Sequence, residues 1–380
     1  MKSELIPAPA MLGMLGGGQL GRFFVIAAHE MGYQVTVLDP TKDSPAGKIA
    51  DVHICAGYDD PAALADMAKT CAAITTEFEN VPAESLATLA KSVVVRPSAA
   101  SVAIAQHRVL EKNFIKEAGL PVAPFAVIDK AEDLPEDDNS LYPAILKVAR
   151  FGYDGKGQAR VKTRVEALSA FDDFKQETCV LEKMMPLDLE VSVVLVRSAQ
   201  GEVTSFPTVE NQHLNGILDI SIAPARCSGV VQARAQGLAE KLATALDYVG
   251  VLAVEFFLVG QDILVNEIAP RPHNSGHYTI DACVSSQFEQ QVRVLVGFPV
   301  GSAALHSKAV MVNVLGDSWV EDVEPAWGKA FAHNNLKLHL YGKPEARKGR
   351  KMGHFTVIDK DQEAALNAAL IARGELNIGL

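Results

Sequence analysis

Two hydrophobic periods alternate along the first hundred residues. Short apolar runs at 11–15, 34–38, 72–76 and 93–95 have the length of buried strands. Between them, 19–31, 61–69 and 82–91 carry apolar residues at the spacing of one helix face. This β-α-β succession with short connections predicts a parallel sheet covered on both faces. From Arg108 a charged amphipathic helix runs to Gly119, which with Pro121 supplies a stop. An acidic stretch, 132–138, reads as an exposed connection. Strands then outnumber helices: 144–148, 180–181, 190–196, 203–206, 252–258 and 263–267. The tail adds strands at 309–314, 337–341 and 354–358 and a last helix from Asp361. No repeat or low-complexity segment interrupts the pattern. Three domains are expected, over 1–107, 108–305 and 306–380.

Composition narrows the class. Of 380 residues 48% are hydrophobic and 21% charged, the balance of a folded protein and not of a disordered one. With 35 basic against 46 acidic side chains the formal net charge is -11, which argues against sequence-independent nucleic-acid binding. One local basic pocket would still suffice for a small anion. No apolar run reaches the ~18 residues of a membrane span, and the opening residues contain no signal-peptide core. The 5 cysteines are scattered and never form C-x-x-C, which reads as buried free thiols in a reducing cytosol. A soluble, cytoplasmic, multidomain protein without nucleic-acid or membrane partners is expected.

Three features carry candidate chemistry. Gly16-Gly17-Gly18-Gln19-Leu20-Gly21 places G-x-G-x-x-G between a strand and a helix, and Asp39 closes the next strand. Dinucleotide binding, another phosphate ligand and a tight packing turn are all compatible with this motif. Lys147 lies on an apolar strand and precedes the loop Gly152, Tyr153, Asp154, Gly155, Lys156, Gly157, Gln158. Its glycines allow a hairpin to close over a phosphate chain, although a merely flexible hairpin has the same composition. Finally, 251–259 and 263–268 read as a hairpin turning at Gly260-Gln261-Asp262, which sets Glu255 opposite Glu267. Like charges ~5 Å apart repel, so a cation between them is expected unless the register slips by one residue. Magnesium suits two carboxylates, with Asn266 as a further oxygen donor. Together these features indicate ATP with magnesium.

The run Asn266-Glu267-Ile268-Ala269-Pro270-Arg271-Pro272-His273-Asn274-Ser275-Gly276-His277 resembles the signature of the purine-pathway ATP-grasp ligases. Within them it is most similar to the 5-(carboxyamino)imidazole ribonucleotide synthetase family. The resemblance extends in order through Gly-Gly-Gln-Leu-Gly at 17–21, Thr76-Glu77-Phe78-Glu79-Asn80-Val81 and the 152–158 loop. It continues through Glu210-Asn211-Gln212-His213 and Gly349-Arg350-Lys351-Met352-Gly353-His354. It implies an α/β protein of ATP-grasp fold. An N-terminal α/β domain like that of biotin carboxylase would precede a two-lobed ATP domain and a small C-terminal domain. The implied reaction carboxylates 5-aminoimidazole ribonucleotide with bicarbonate and ATP through carboxyphosphate.

The resemblance also implies roles. Arg108 and Lys147 would contact nucleotide phosphates, under a lid formed by Gly152, Tyr153, Asp154, Gly155, Lys156, Gly157 and Gln158. Glu182, Lys183, Met184 and Met185 would line the adenine through their backbone, Glu190 would hold the ribose, and His213 would stand beside it. Glu255 and Glu267 would bind magnesium (Mg2+), or manganese in its place, with Asn266 adjoining. Arg271 and His273, with Lys147, would serve the chemistry. The ribonucleotide would meet Gln19, Leu20, Glu77, Asn274 and the lid residues Tyr153 and Asp154. Its phosphate would meet Lys343, Arg350 and Lys351. A homodimer is implied as well. Formate-dependent glycinamide ribonucleotide formyltransferase is the neighbouring alternative. That family has Gly-Glu-Leu-Gly and Asp-Thr-Gly where this chain has Gln19 and Asn274-Ser275-Gly276. A nucleotide-binding protein that lost its chemistry is the remaining rival, set against intact metal and phosphate positions.

Overall fold

Met11–Leu15 (β1) lies between two other strands, so both its faces are covered and its apolar run is continuous. It pairs in parallel with Gln34–Leu38 (β2) and Ala73–Thr76 (β4). Val52–Ile54 (β3) and Val94–Val95 (β5) form the edges, giving the order β3-β2-β1-β4-β5. The strand order reverses between β1 and β4, and ligands of such sheets bind in the crevice beyond the carboxyl ends at that point. The loops at 16–18 and 77–80 flank it. The computed structural model describes residues 5–138, 140–150, 152, 157–320 and 323–378.

Phe125–Ile128 (β6), Ala144–Val148 (β7), Gln158–Val161 (β8) and Cys179–Lys183 (β9) form an antiparallel sheet in the order β6-β9-β7-β8. A larger sheet is built from Leu189–Arg197 (β10), Val203–Ser205 (β11), Val209–Leu214 (β12), Ile217–Ala223 (β13), Gly250–Val259 (β14) and Asp262–Ala269 (β15). Lys308–Leu315 (β16), Leu336–Leu340 (β17) and Lys351–Asp359 (β18) complete it, in the order β15-β14-β10-β12-β13-β16-β18-β17, with β11 beside β10. The boundary expected near 305 lies before β16, yet β16 pairs with β13, so the sheet itself runs across it.

Several elements have no counterpart in the hydrophobic pattern, among them the β12–β13 hairpin and the helix Gly229–Ala245. The β12–β13 hairpin turns at Asn215 and Gly216, both at positive φ (54° and 80°), the backbone that a two-residue Asn-Gly turn requires. The helix Gly229–Ala245 contributes Ala235, Ala239, Leu242 and Ala243 to a core shared with Val191, Val193, Leu252 and Val254. Its buried stripe is mostly alanine, which packs closely but leaves a faint apolar signal. Ser228 caps it by accepting the Val231 N–H at 3.3 Å. The five cysteines are free, but Cys55 is exposed and not buried as expected. Among the described residues no helix is long and apolar enough to cross a membrane.

Candidate active site

Glu255 faces Glu267 across the β14–β15 hairpin, as the sequence suggested, but by a different route. The turn has two residues, with Gly260 at φ +60° and Asp262 already paired to Val259 inside β15. That alone would misalign the acids by one position. A bulge at Asn266 restores them, because Phe256 pairs with Val265 while Glu255 pairs with Glu267. Arg108 Nη1 donates to Glu267 Oε2 at 3.1 Å, and His273 Nε2 lies 3.4 Å from Glu255 Oε1. Burial, followed by the neighbouring Glu267 charge, raises the Glu255 carboxyl. Asn266 Oδ1 is buried with no hydrogen-bond partner. Two facing carboxylates and an orphaned amide oxygen are an all-oxygen donor set, and they fit a hard divalent cation such as magnesium.

Beside the acids, the helix Arg108–Glu117 drives charged side chains between the sheets. Lys112 Nζ lies 2.8 Å from Glu182 Oε2 and donates to the Asn266 carbonyl at 2.8 Å. Lys147 Nζ donates to Glu182 Oε1 at 3.4 Å. Lys112 and Glu182 are only 1% and 2% exposed. Burial would raise the Glu182 carboxyl, but the two lysines outweigh it and hold it at about 2. Burial lowers Lys147, and Glu182 only partly restores it. Glu111 accepts the Ile268 N–H at 2.6 Å, tying the helix to β15. Its carboxyl is raised by burial and by Glu267. Sequence reasoning passed over Glu111 and Lys112, since charges on an amphipathic helix ordinarily face water.

At the crevice between β1 and β4 the glycine cluster holds the protein's own carboxylate. Glu77 accepts N–H groups from Gly18 and, at 2.7 Å, from Gly21. A Cβ on Gly18 would meet Glu77 Oε1 at 2.5 Å, so glycine is required there. Glu77 thus takes the amides on either side of Gln19 and Leu20. Asp39 accepts from Gly17 N at 2.8 Å, Tyr58 Oη at 2.6 Å and Thr41 N at 2.7 Å. An acid so fully engaged is a structural brace, which removes the dinucleotide reading of this loop.

The Arg271 guanidinium pairs with Glu79, a partner absent from the sequence assignments. Burial opposes the charge on each, yet their mutual attraction prevails, raising Arg271 and lowering Glu79. Burial and then Arg271 depress His273 well below its ordinary value. Asn274 is 6% exposed, and both its amide atoms are buried without a hydrogen-bond partner among the described residues. Gly276 leaves room for Gln287, whose Oε1 a Cβ would meet at 2.5 Å. His213 Nδ1 lies 2.8 Å from Glu190, which raises the imidazole against burial.

The remaining expected residues are spread around this centre. Gly157 takes φ +69°, and Gln158 pairs with Lys147, so the end of the glycine-rich segment adjoins the strand bearing the lysine. Gly152 is at its other foot; Tyr153, Asp154, Gly155 and Lys156 lie outside the described residues. The N–H groups of Lys183 and Met184 donate to Pro124 and Pro143 carbonyls, both at 2.9 Å. Adenine recognition by this segment would therefore fall on its carbonyls and on Met185. Lys343 Nζ donates to the Lys351 carbonyl at 2.7 Å. Burial pushes the Glu79 and Glu255 carboxyls up, and the Lys351 charge offsets a small part of that in each, whereas Arg350 is turned to the Glu345 carbonyl at 2.9 Å. Asp281, His339 and His354 have metal-ligand spacing. However, the His339 and His354 rings stack at 4.7 Å and 21°, so their lone pairs run nearly parallel and do not converge on an ion.

Three family models match the chain. They are the ribonucleotide synthetase preATP-grasp domain over residues 10–106, the ATP-grasp domain over 113–288 and the phosphoribosylaminoimidazole carboxylase C-terminal domain over 309–368. The N5-carboxyaminoimidazole ribonucleotide synthase of Bacillus subtilis (strain 168) is 43% identical over 365 residues, 96% of this chain and 95% of its own. A solved ADP complex of an N5-carboxyaminoimidazole ribonucleotide synthetase aligns with TM-score 0.92 and 42% identity over 98% of each chain. The Aspergillus clavatus N5-carboxyaminoimidazole synthase was solved with ADP and 5-aminoimidazole ribonucleotide. It aligns with TM-score 0.88 and 32% identity over 99% of this chain and 100% of that one.

Proposed function

The chain belongs to the N5-carboxyaminoimidazole ribonucleotide synthase family, and we propose how its residues divide the ATP-dependent conversion of 5-aminoimidazole ribonucleotide in purine biosynthesis. The observation that carries the assignment is the facing pair Glu255 and Glu267 with Arg108 on one side and the buried Lys147 nearby. Bicarbonate is a poor electrophile and must be activated. Its oxygen attacks the γ-phosphorus, the bond from that phosphorus to ADP breaks, and carboxyphosphate forms. The exocyclic amine then attacks the carboxyl carbon and phosphate leaves. Arg108 and Lys147 hold the nucleotide phosphates, the 152–158 loop covers them, and Glu190 with His213 takes the ribose. Magnesium bound by Glu255, Glu267 and Asn266 would supply charge neutralisation on the triphosphate.

Arg271 and His273 receive the carboxyl group. Glu77, Asn274 and the Gln19–Leu20 amides orient the ribonucleotide, and Lys343, Arg350 and Lys351 take its phosphate. Gln19 and Asn274-Ser275-Gly276 favour bicarbonate over formate. Purified protein given ATP and the ribonucleotide should form ADP and carboxylated product with bicarbonate and none with formate. Formate-dependent ADP formation with glycinamide ribonucleotide would overturn the reading. We also propose a cytoplasmic homodimer, to be checked by light scattering of the purified chain.

A further inference from the structure

A chain of buried polar side chains runs up to His273 from behind. Ser221 Oγ donates to Asn211 Oδ1 at 2.9 Å, and Asn211 Nδ2 donates to Ser192 Oγ at 2.9 Å. Ser192 Oγ donates to Ser275 Oγ at 2.8 Å, which lies 2.9 Å from His273 Nδ1. The three serines are 0% exposed and Asn211 4%, so these groups satisfy one another.

Each hydroxyl has a single hydrogen. Ser192 directs its own to Ser275, and the Ser275 hydrogen is then available to His273 Nδ1. The main-chain N–H of Ser275 also donates to Nδ1, at 3.3 Å. That donor cannot reverse, so it sets the direction of the chain independently of how the Asn211 amide is turned. Nδ1 is therefore an acceptor, which leaves the ring hydrogen on Nε2, the nitrogen facing Glu255. The backbone is held as well: His273 N donates to Gln287 Oε1 at 2.9 Å, and Gln287 Nε2 donates to the His273 carbonyl at 2.8 Å.

We infer that Ser275, backed by Ser192, Asn211 and Ser221, is a positioning residue that locks His273 as an Nε2–H donor toward the transferring carboxyl group. An N–H fixed in this way stabilises negative charge growing on a carboxyl oxygen as the amine attacks, and needs no reorganisation to do so. It also prevents Nε2 from acting as a base in that state. The tautomer follows from geometry alone; its use on a carboxyl group rests on the proposed function.

The test is long-range proton–nitrogen correlation on the full chain with nitrogen-15 histidine, using His273→Gln to identify the signal. Wild type should show a bare Nδ1 and a protonated Nε2 at His273; the reverse pattern overturns the inference, whatever any variant does. Ser275→Ala leaves only the longer main-chain donor on Nδ1, so the Nδ1–H tautomer should become detectable and kcat should fall about tenfold, with KM for ATP unchanged. Ser275→Thr, which retains the hydroxyl, should restore both. An unchanged tautomer and kcat in Ser275→Ala would remove Ser275 from the role. If the tautomer is found but bicarbonate supports no product, the lock stands and the functional reading falls instead.

Discussion

Glu267 is pulled two ways, toward Arg108 at 3.1 Å and against Glu255 across the hairpin. Glu267→Gln keeps the shape and hydrogen-bonding capacity but removes one of two charges facing the cation. The fold should survive, by circular dichroism, while kcat falls by about 100-fold or more. Wild-type ADP release at saturating magnesium would count decisively against the assignment. The basic run at 347–351 divides at the same scale. Arg347 forms an exposed ion pair with Glu345, whereas Arg350 is half-buried and held by the Glu345 carbonyl. Arg350→Ala should raise the ribonucleotide KM about 10- to 100-fold with the ATP KM unchanged. Arg347→Ala should change neither constant. Steady-state kinetics with each substrate varied in turn separates them, and equal effects would mean the loop acts through general charge.

At the scale of elements, the buried contact Lys112–Glu182–Lys147 joins the helix Arg108–Glu117 to β7 and β9. One carboxylate balances two cations there. Glu182→Leu should therefore cost about 3–5 kcal/mol, because it strands buried positive charge. Adding Lys112→Met should recover much of the loss, since apolar replacement of a buried pair is far cheaper than breaking it. Thermal unfolding of the single and double variants decides this, and a single variant as stable as wild type would refute it. The same helix shows the limit of pattern reading. Its amphipathic period is legible, and Asn113, Lys116 and Glu117 do face water, but Lys112 turns inward to the Asn266 carbonyl, 154 residues away.

Over the whole molecule, the first helix meets segments from residues 277–354 in one aromatic cluster. Phe23 packs against His277, His339, Tyr341, His354 and Phe288, and His277 stacks on His354 at 4.6 Å. His277 and His354 are 0% exposed, and burial depresses both well below the ordinary 6.5. Below that pH the unfolded chain binds protons that the folded chain refuses, so stability falls as pH falls through 6.5. His277→Phe keeps the ring contacts and removes one such proton site. Its stability should fall less steeply on acidification, by about 1.4 kcal/mol per pH unit for a fully suppressed site. Melting curves between pH 5 and 7.5 test this, and parallel slopes for variant and wild type would reject it.

The sequence by itself determined the parallel β-α-β start and the strand that bears Lys147, because each depends on periods and spacings within a short stretch. The signature at 266–277 then pointed to the family before any contact was known. Only the tertiary structure decided how the acids come to face each other. A two-residue turn and a bulge at Asn266 compensate, and which residue bulges depends on how β14 and β15 pair. It also decided that Glu77 fills the glycine loop, that Glu79 partners Arg271, and that Lys112 is interior. A helix such as Gly229–Ala245 escaped because its alanine stripe gains meaning only from the strands it covers. Local periodicity reflects near neighbours along the chain. Whether a charge is solvated, paired or waiting for a ligand depends on groups brought from far away, and burial alone sets what it costs to leave that charge unanswered.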